Sequence, residues 1–91
     1  MNAANAVRLL QHAIEALDAV ENRQEYPGID HARAVLVSMR AALESRGTPD
    51  PRRLHGGLAR QVIDAWPLRA EASIAVIEAE EAYEQLGTGR R

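Results

Sequence analysis

Hydrophobic residues recur along most of this chain at spacings of three and four, which is the repeat of an amphipathic α-helix. The first segment places its main stripe at Val7, Leu10, Ile14 and Leu17. We predict a helix over residues 3–24. The sequence Tyr26-Pro27-Gly28 should end it, because Pro followed by Gly favours a turn.

The second segment predicts a helix from Asp30, as N-cap, to Arg46. Gly47 then stands where the glycine that ends a helix is usually found. The expected core stripe consists of Ala32, Val35, Leu36, Met39, Ala42 and Leu43. A second, narrower apolar ridge consists of Ala34, Val37 and Ala41.

The last part of the chain predicts two more helices on either side of Trp66-Pro67. A short third helix over residues 58–65 should be anchored by Leu58, Val62 and Ile63. The fourth should begin at Pro67 and stop at Gly87. Its main stripe is nearly all alanine, so a neighbouring helix can approach closely: Leu68, Ala72, Ala75, Ala79, Ala82 and Leu86. Ala70, Ile74 and Ile77 add an apolar surface on its other side.

These elements predict an all-α bundle of three to four helices, forming one domain over residues 1–87 with a disordered tail at 88–91. The hydrophobic share of the 91 residues is 46%, but much of it is alanine and there is no phenylalanine. Because alanine buries little apolar area, the core should be thin. We therefore expect oligomerisation to complete the bundle.

Composition narrows the possible cellular locations and ligands of the protein. The chain has no cysteine, no apolar stretch long enough for a membrane span, and no charged leader at its start. A cytoplasmic protein is the resulting expectation. The formal net charge of −2 disfavours general nucleic-acid binding, which needs a basic surface.

Motifs for catalysis are not apparent. Ser38, Ser45 and Ser73 stand on helices without a neighbouring base, and there is no glycine-rich phosphate loop. His12 and Glu15 have the i, i+3 spacing of metal ligands on a helix, but a carboxylate-bridged site needs a second such pair. We expect a non-enzymatic protein without a metal or other cofactor.

The segment from Arg46 to Arg60 is basic, with Gly56-Gly57 directly before a predicted helix. Amide groups at a helix N-terminus beside arginines can bind an anion such as a nucleotide. The alternative is a solvated loop whose arginines pair with the acidic last helix. The candidate anion-binding residues are Arg52, Arg53, His55, Gly57, Arg60 and Arg69.

The last helix carries five glutamates between residues 71 and 84. Such a run is usually a solvated face, and the alternative is a docking surface for a basic partner. Together with the apolar ridges it gives the candidate partner-interface residues Val37, Ile74, Ile77, Glu80, Glu81 and Tyr83.

Residues 67–82 resemble the second helix of a hairpin domain found in phage anti-CBASS and anti-Thoeris sponge proteins. The residues in matching register are Pro67, Glu71, Ser73, Ala75, Glu80, Glu81 and Ala82. The resemblance implies a helical oligomer that binds cyclic oligonucleotides between subunits. Ala70 and Ile77 depart from the arginine and threonine of that pattern. Arg52, Arg53 and Arg60 would then have to hold the ligand.

Three hypotheses follow for the function. The first is a protein-binding module, such as a small phage or bacterial inhibitor, that contacts itself and a protein target. The alternative is an anti-defence sponge for cyclic nucleotides. The third is a helix-turn-helix over residues 58–74, which is disfavoured because its second helix offers glutamate rather than arginine to the phosphates.

Overall fold

In the computed structural model, four α-helices and one short 3-10 helix account for most of the described chain, residues 3–49 and 57–88. No strand occurs within these two ranges, so the all-α prediction is confirmed. The α-helices are α1 (Ala3–Asp18), α2 (Ile29–Arg46), α3 (Leu58–Ala65) and α4 (Glu71–Thr88), and the 3-10 helix covers Arg23–Glu25.

Helix α1 packs against both α2 and α4, and α3 packs against α4. One buried cluster joins all four helices, with Leu10 and Leu17 from α1, Leu36 and Met39 from α2, Leu58 and Val62 from α3, and Val76 and Tyr83 from α4. Every alanine of the predicted α4 stripe is buried, namely Ala72, Ala75, Ala79 and Ala82. These small side chains let α1 and α4 make the most extensive helix contact in the bundle.

A single chain encloses this core. Its accessible surface is 5460 Å², against about 5,200 Å² expected for a compact monomer of this mass. Its radius of gyration is 12.3 Å, against about 12 Å for a compact domain of this length. The monomer therefore leaves no large part of its core uncovered. Oligomerisation stays a prediction, and only particular exposed residues can support it.

Two predicted helix ends are wrong at the α1–α2 connection. Helix α1 ends at Asp18 instead of continuing to residue 24, and the Asn22 side chain then accepts a hydrogen bond from the Gln24 amide at 3.2 Å, which caps the 3-10 helix. Helix α2 is preceded by Gly28 (φ 77°) rather than capped by Asp30, which lies in its first turn. The predicted end at Gly47 is confirmed, with φ 74° and an amide that donates to Leu43.

The prediction for α3 is confirmed at both ends, but α4 begins at Glu71 and not at Pro67. The Ala70 amide donates to the Pro67 carbonyl at 3.1 Å, which makes residues 67–70 a separate turn. Leu68 therefore lies in this turn and not in the α4 stripe. The prediction of Ile63 as a core anchor is also wrong, because its side chain is exposed. Helix α4 continues through the predicted stop at Gly87 to Thr88, and residues 89–91 of the predicted tail lie outside the described residues.

Candidate functional site

A carboxylate of the protein itself holds the N-terminus of α3, where the sequence suggested an anion site. Glu80 of α4 accepts hydrogen bonds from the Leu58 amide at 2.9 Å and from the Ala59 amide at 2.7 Å. Its side chain is only 3% exposed. A negative charge is favourable here because the first amides of a helix lack partners and its dipole is positive at this end.

The other anion-binding candidates do not converge in the described part of the chain. Arg60 is exposed and pairs with Asp64 of its own helix at 3.8 Å, and Arg69 is exposed in the turn before α4. Gly57 adopts the left-handed backbone that leads into α3. Arg52, Arg53 and His55 lie outside the described residues, so nucleotide binding stays a prediction.

Burial divides the partner-interface candidates into two groups. Ile74 and Glu81 are exposed, and Val37 and Ile77 are half-buried. Glu80 and Tyr83 are buried within the bundle, so they do not contribute to the surface of α4. The sequence did not indicate that Glu80 is buried, because it stands in a run of glutamates directly beside Glu81, which is exposed.

Three large hydrophobic side chains are exposed at one end of the α3–α4 hairpin: Ile63 by 58%, Leu68 by 52% and Ile74 by 45%. Ile63 lies in the last turn of α3, Leu68 in the connection, and Ile74 in the first turn of α4, so all three belong to the same end. We call these three residues the hairpin tip. Every other leucine, isoleucine, valine and methionine in the described ranges is buried or half-buried.

The Pro27 carbonyl fixes this end of the hairpin to the α1–α2 connection. It accepts hydrogen bonds from Trp66 Nε1 at 2.8 Å and from Gln61 Nε2 at 3.0 Å. The rings of Trp66 and Tyr26 also meet edge to face, with centroids 5.2 Å apart. The sequence analysis treated Tyr26-Pro27 and Trp66-Pro67 only as helix breakers, although the aromatic residue before each of these two prolines was a usable signal.

An open cleft of about 380 Å³ lies beside the N-terminus of α4. Its lining residues are His12, Glu15, Ala16, Ala19, Val20, Tyr26, Glu71 and Ala72. His12 Nε2 lies 3.7 Å from the Glu71 carboxylate. Within the described ranges, no three histidine or carboxylate side chains are placed to hold a metal ion. We call this site the α1–α4 cleft.

One ion pair joins the end of α1 to α2. Arg33 donates to both carboxylate oxygens of Asp18, at 2.7 and 3.1 Å. The hydrogen bond from Arg33 is the main reason that the pKa of Asp18 is lowered from its ordinary value. The same contact raises the pKa of Arg33.

Comparison of the chain with protein families, with characterised proteins and with solved structures finds no match. Within the described residues, no helix combines the length and apolar character needed to cross a membrane.

Proposed function

We propose that this chain is a non-enzymatic helical binding protein that acts by protein–protein contact through the hairpin tip, and that a second copy of the chain is the partner bound there. The exposure of Ile63, Leu68 and Ile74 is the observation that carries the proposal. Isolated exposed hydrophobic residues need no explanation, whereas a group of them at one end of a hairpin is typical of an interaction site.

Charge around the hairpin tip supports a second copy as the occupant. Exposed residues of both signs lie at this end of the hairpin, with Arg69 in the connection against Asp64 of α3. A two-fold interface presents the same surface on both sides, so it must be complementary to itself. Apolar side chains surrounded by both acidic and basic residues meet this requirement, because each arginine of one copy can face a carboxylate of the other.

The attachment of the tip to the rest of the fold supports binding without large rearrangement. Trp66 and Gln61 tie this end of the hairpin to the Pro27 carbonyl. A surface that is held in place before binding loses less conformational entropy when a partner docks. The tip therefore has the rigidity that a contact surface requires.

A dilution series followed by methyl NMR tests the proposal. We expect the methyl signals of Ile63 and Ile74 to move as the protein is diluted, because dissociation exposes them to water. The signals of Ile14, which is buried in α1, provide the control and should stay in place. Signals of Ile63 and Ile74 that are independent of concentration from micromolar to millimolar would contradict self-association through the tip.

A further inference from the structure

The α1–α4 cleft combines an apolar wall with an acidic rim. Ala16 of α1 and the residues just after this helix, Ala19 and Val20, line one side, and Ala72 of α4 lines the other. Tyr26 contributes an aromatic ring at the base of the α1–α2 connection. The volume of about 380 Å³ falls at the lower end of ligand pockets, which span about 300–1,000 Å³. A cleft of this size accommodates one side chain.

The charged groups of the cleft come from two different helices. Glu15 projects from α1 and Glu71 from the start of α4, and both line the cleft. Glu15 accepts a hydrogen bond from Gln11 at 2.9 Å, and Glu71 lies 3.7 Å from His12. The eight lining residues include no arginine or lysine. Its one basic side chain is His12, so the cleft places two carboxylates against a single imidazole.

We propose that the α1–α4 cleft binds the side chain of an arginine carried by a partner protein. The aliphatic stem of arginine can cover the apolar wall while its charged end stays at the rim. Its planar guanidinium presents five donors, which suits two carboxylates that approach from different helices. Tyr26 adds an aromatic side chain to the lining, and guanidinium groups are attracted to aromatic rings. This site is separate from the hairpin tip and does not depend on it.

Lysine fits the cleft less well than arginine. An ammonium group is a compact charge with three donors, so it reaches two carboxylates on different helices less readily than a planar group with five donors does. An uncharged isostere of arginine should bind worst, because it leaves both glutamates without a cation. These differences give the site an order of ligand preference that can be measured.

The test is a titration of the whole protein with N-acetyl-arginine amide, followed by the backbone amide signals in NMR. The matched ligands are N-acetyl-lysine amide and N-acetyl-citrulline amide, which has the shape of arginine without its charge. We expect saturable shifts at Ala16, Ala19, Val20 and Ala72, strongest binding for arginine, and no saturable binding for citrulline.

Three variants locate the site. Glu15→Gln and Glu71→Gln should each weaken binding of the arginine ligand about threefold, the size expected for one exposed ion pair. Glu78→Gln is the matched control, because it removes an exposed carboxylate from the same helix outside the cleft. Circular dichroism should show unchanged helix content in all three.

Several results would overturn the proposal. One is the lack of any saturable shift in the cleft. Others are equal binding of arginine and citrulline, or an equal loss of affinity in Glu78→Gln and Glu71→Gln. A wild-type protein that does not self-associate through the tip but binds arginine in the cleft would contradict the proposed function and still support this site.

Discussion

Glu80 of α4 accepts hydrogen bonds from the backbone amides of Leu58 and Ala59 through its two carboxylate oxygens, at 2.9 and 2.7 Å. One buried side chain thereby satisfies two amides that a helix N-terminus leaves without partners. The same contact fixes the direction of α3 relative to α4. It follows that the position of the hairpin tip, which lies at the other end of α3, depends on this carboxylate.

Replacing this carboxylate should destabilise the fold. In Glu80→Gln an amide NH₂ replaces one acceptor oxygen and faces a backbone N–H. We expect the free energy of unfolding to fall by about 2–3 kcal/mol, since hydrogen bonds to a charged group contribute about 1.5–3 kcal/mol. Urea denaturation measures this change. The control Glu81→Gln, at the exposed neighbour, should stay within about 0.5 kcal/mol of the wild type. Equal stability of the two variants would contradict the role given to Glu80.

Two glycines with the same backbone conformation should respond differently to alanine. Gly28 (φ 77°) and Gly47 (φ 74°) both have the left-handed backbone, which disfavours alanine by about 1–2 kcal/mol. A Cβ at Gly28 would clash with Gln61 Nε2, whereas a Cβ at Gly47 meets nothing within 4 Å. Gly28→Ala should displace Gln61 from Pro27 and lower the stability by a further 0.5–1.5 kcal/mol or so.

Urea denaturation of both glycine variants checks this difference. Adding Gln61→Ala to each variant removes the clash, so the gap between Gly28→Ala and Gly47→Ala should shrink in the double variants. The same loss of stability in both single variants would show that Gln61 does not press against Gly28.

The pair of Asp18 and Arg33 should make stability depend on pH. The pKa of Asp18 is lower in the folded protein than its ordinary value, mainly because Arg33 donates hydrogen bonds to it. The contribution to stability is therefore fully present above the unfolded pKa of about 3.9 and is lost as pH falls through the folded pKa. Carboxyl NMR titration of Arg33→Gln should show the pKa of Asp18 rising towards its ordinary value. An unchanged pKa would contradict the pairing.

The Ser73 hydroxyl is buried on α4 without a hydrogen-bond partner in the described structure. Removing a buried, unsatisfied polar group should be favourable, so we expect Ser73→Ala to raise the free energy of unfolding by about 1 kcal/mol. Thermal and urea denaturation measure the gain. Ser45→Ala is the control for helix propensity, because the Ser45 hydroxyl is exposed and donates to the Ala41 carbonyl. A loss of stability in Ser73→Ala would mean that the hydroxyl is satisfied.

The sequence predicted the helices well because their stripes are long and regular. The positions of several helix ends were not predictable in this way, because they depend on hydrogen bonds that leave no trace in the hydrophobic repeat. Helix α1 ends early and Asn22 caps a separate 3-10 helix, while α4 starts late because Pro67 opens a hydrogen-bonded turn. The ends of α2 and α3 that were predicted correctly are those followed by Gly47 and by the Trp66-Pro67 pair, whose local chemistry alone disfavours a continuing helix.

The candidate site was harder to predict because burial decides it. Ile63 and Leu68 have the hydrophobic character of core residues, yet they are exposed at the hairpin tip. Glu80 has the character of a surface residue, yet it is buried against the α3 amides. Both errors have one physical origin: the position of a short helix on its neighbour is set by tertiary hydrogen bonds, and these join residues distant in sequence.

Sedimentation velocity of the wild type beside Ile63→Glu/Ile74→Glu tests the central claim, that the hairpin tip is the surface through which this protein binds. The control, Ala34→Glu/Ala41→Glu, adds the same charge at two exposed positions of α2. We predict a concentration-dependent dimer for the wild type and the control, and a folded monomer for the tip variant. A wild type that stays monomeric at all concentrations, or a tip variant that dimerises equally well, would contradict the claim.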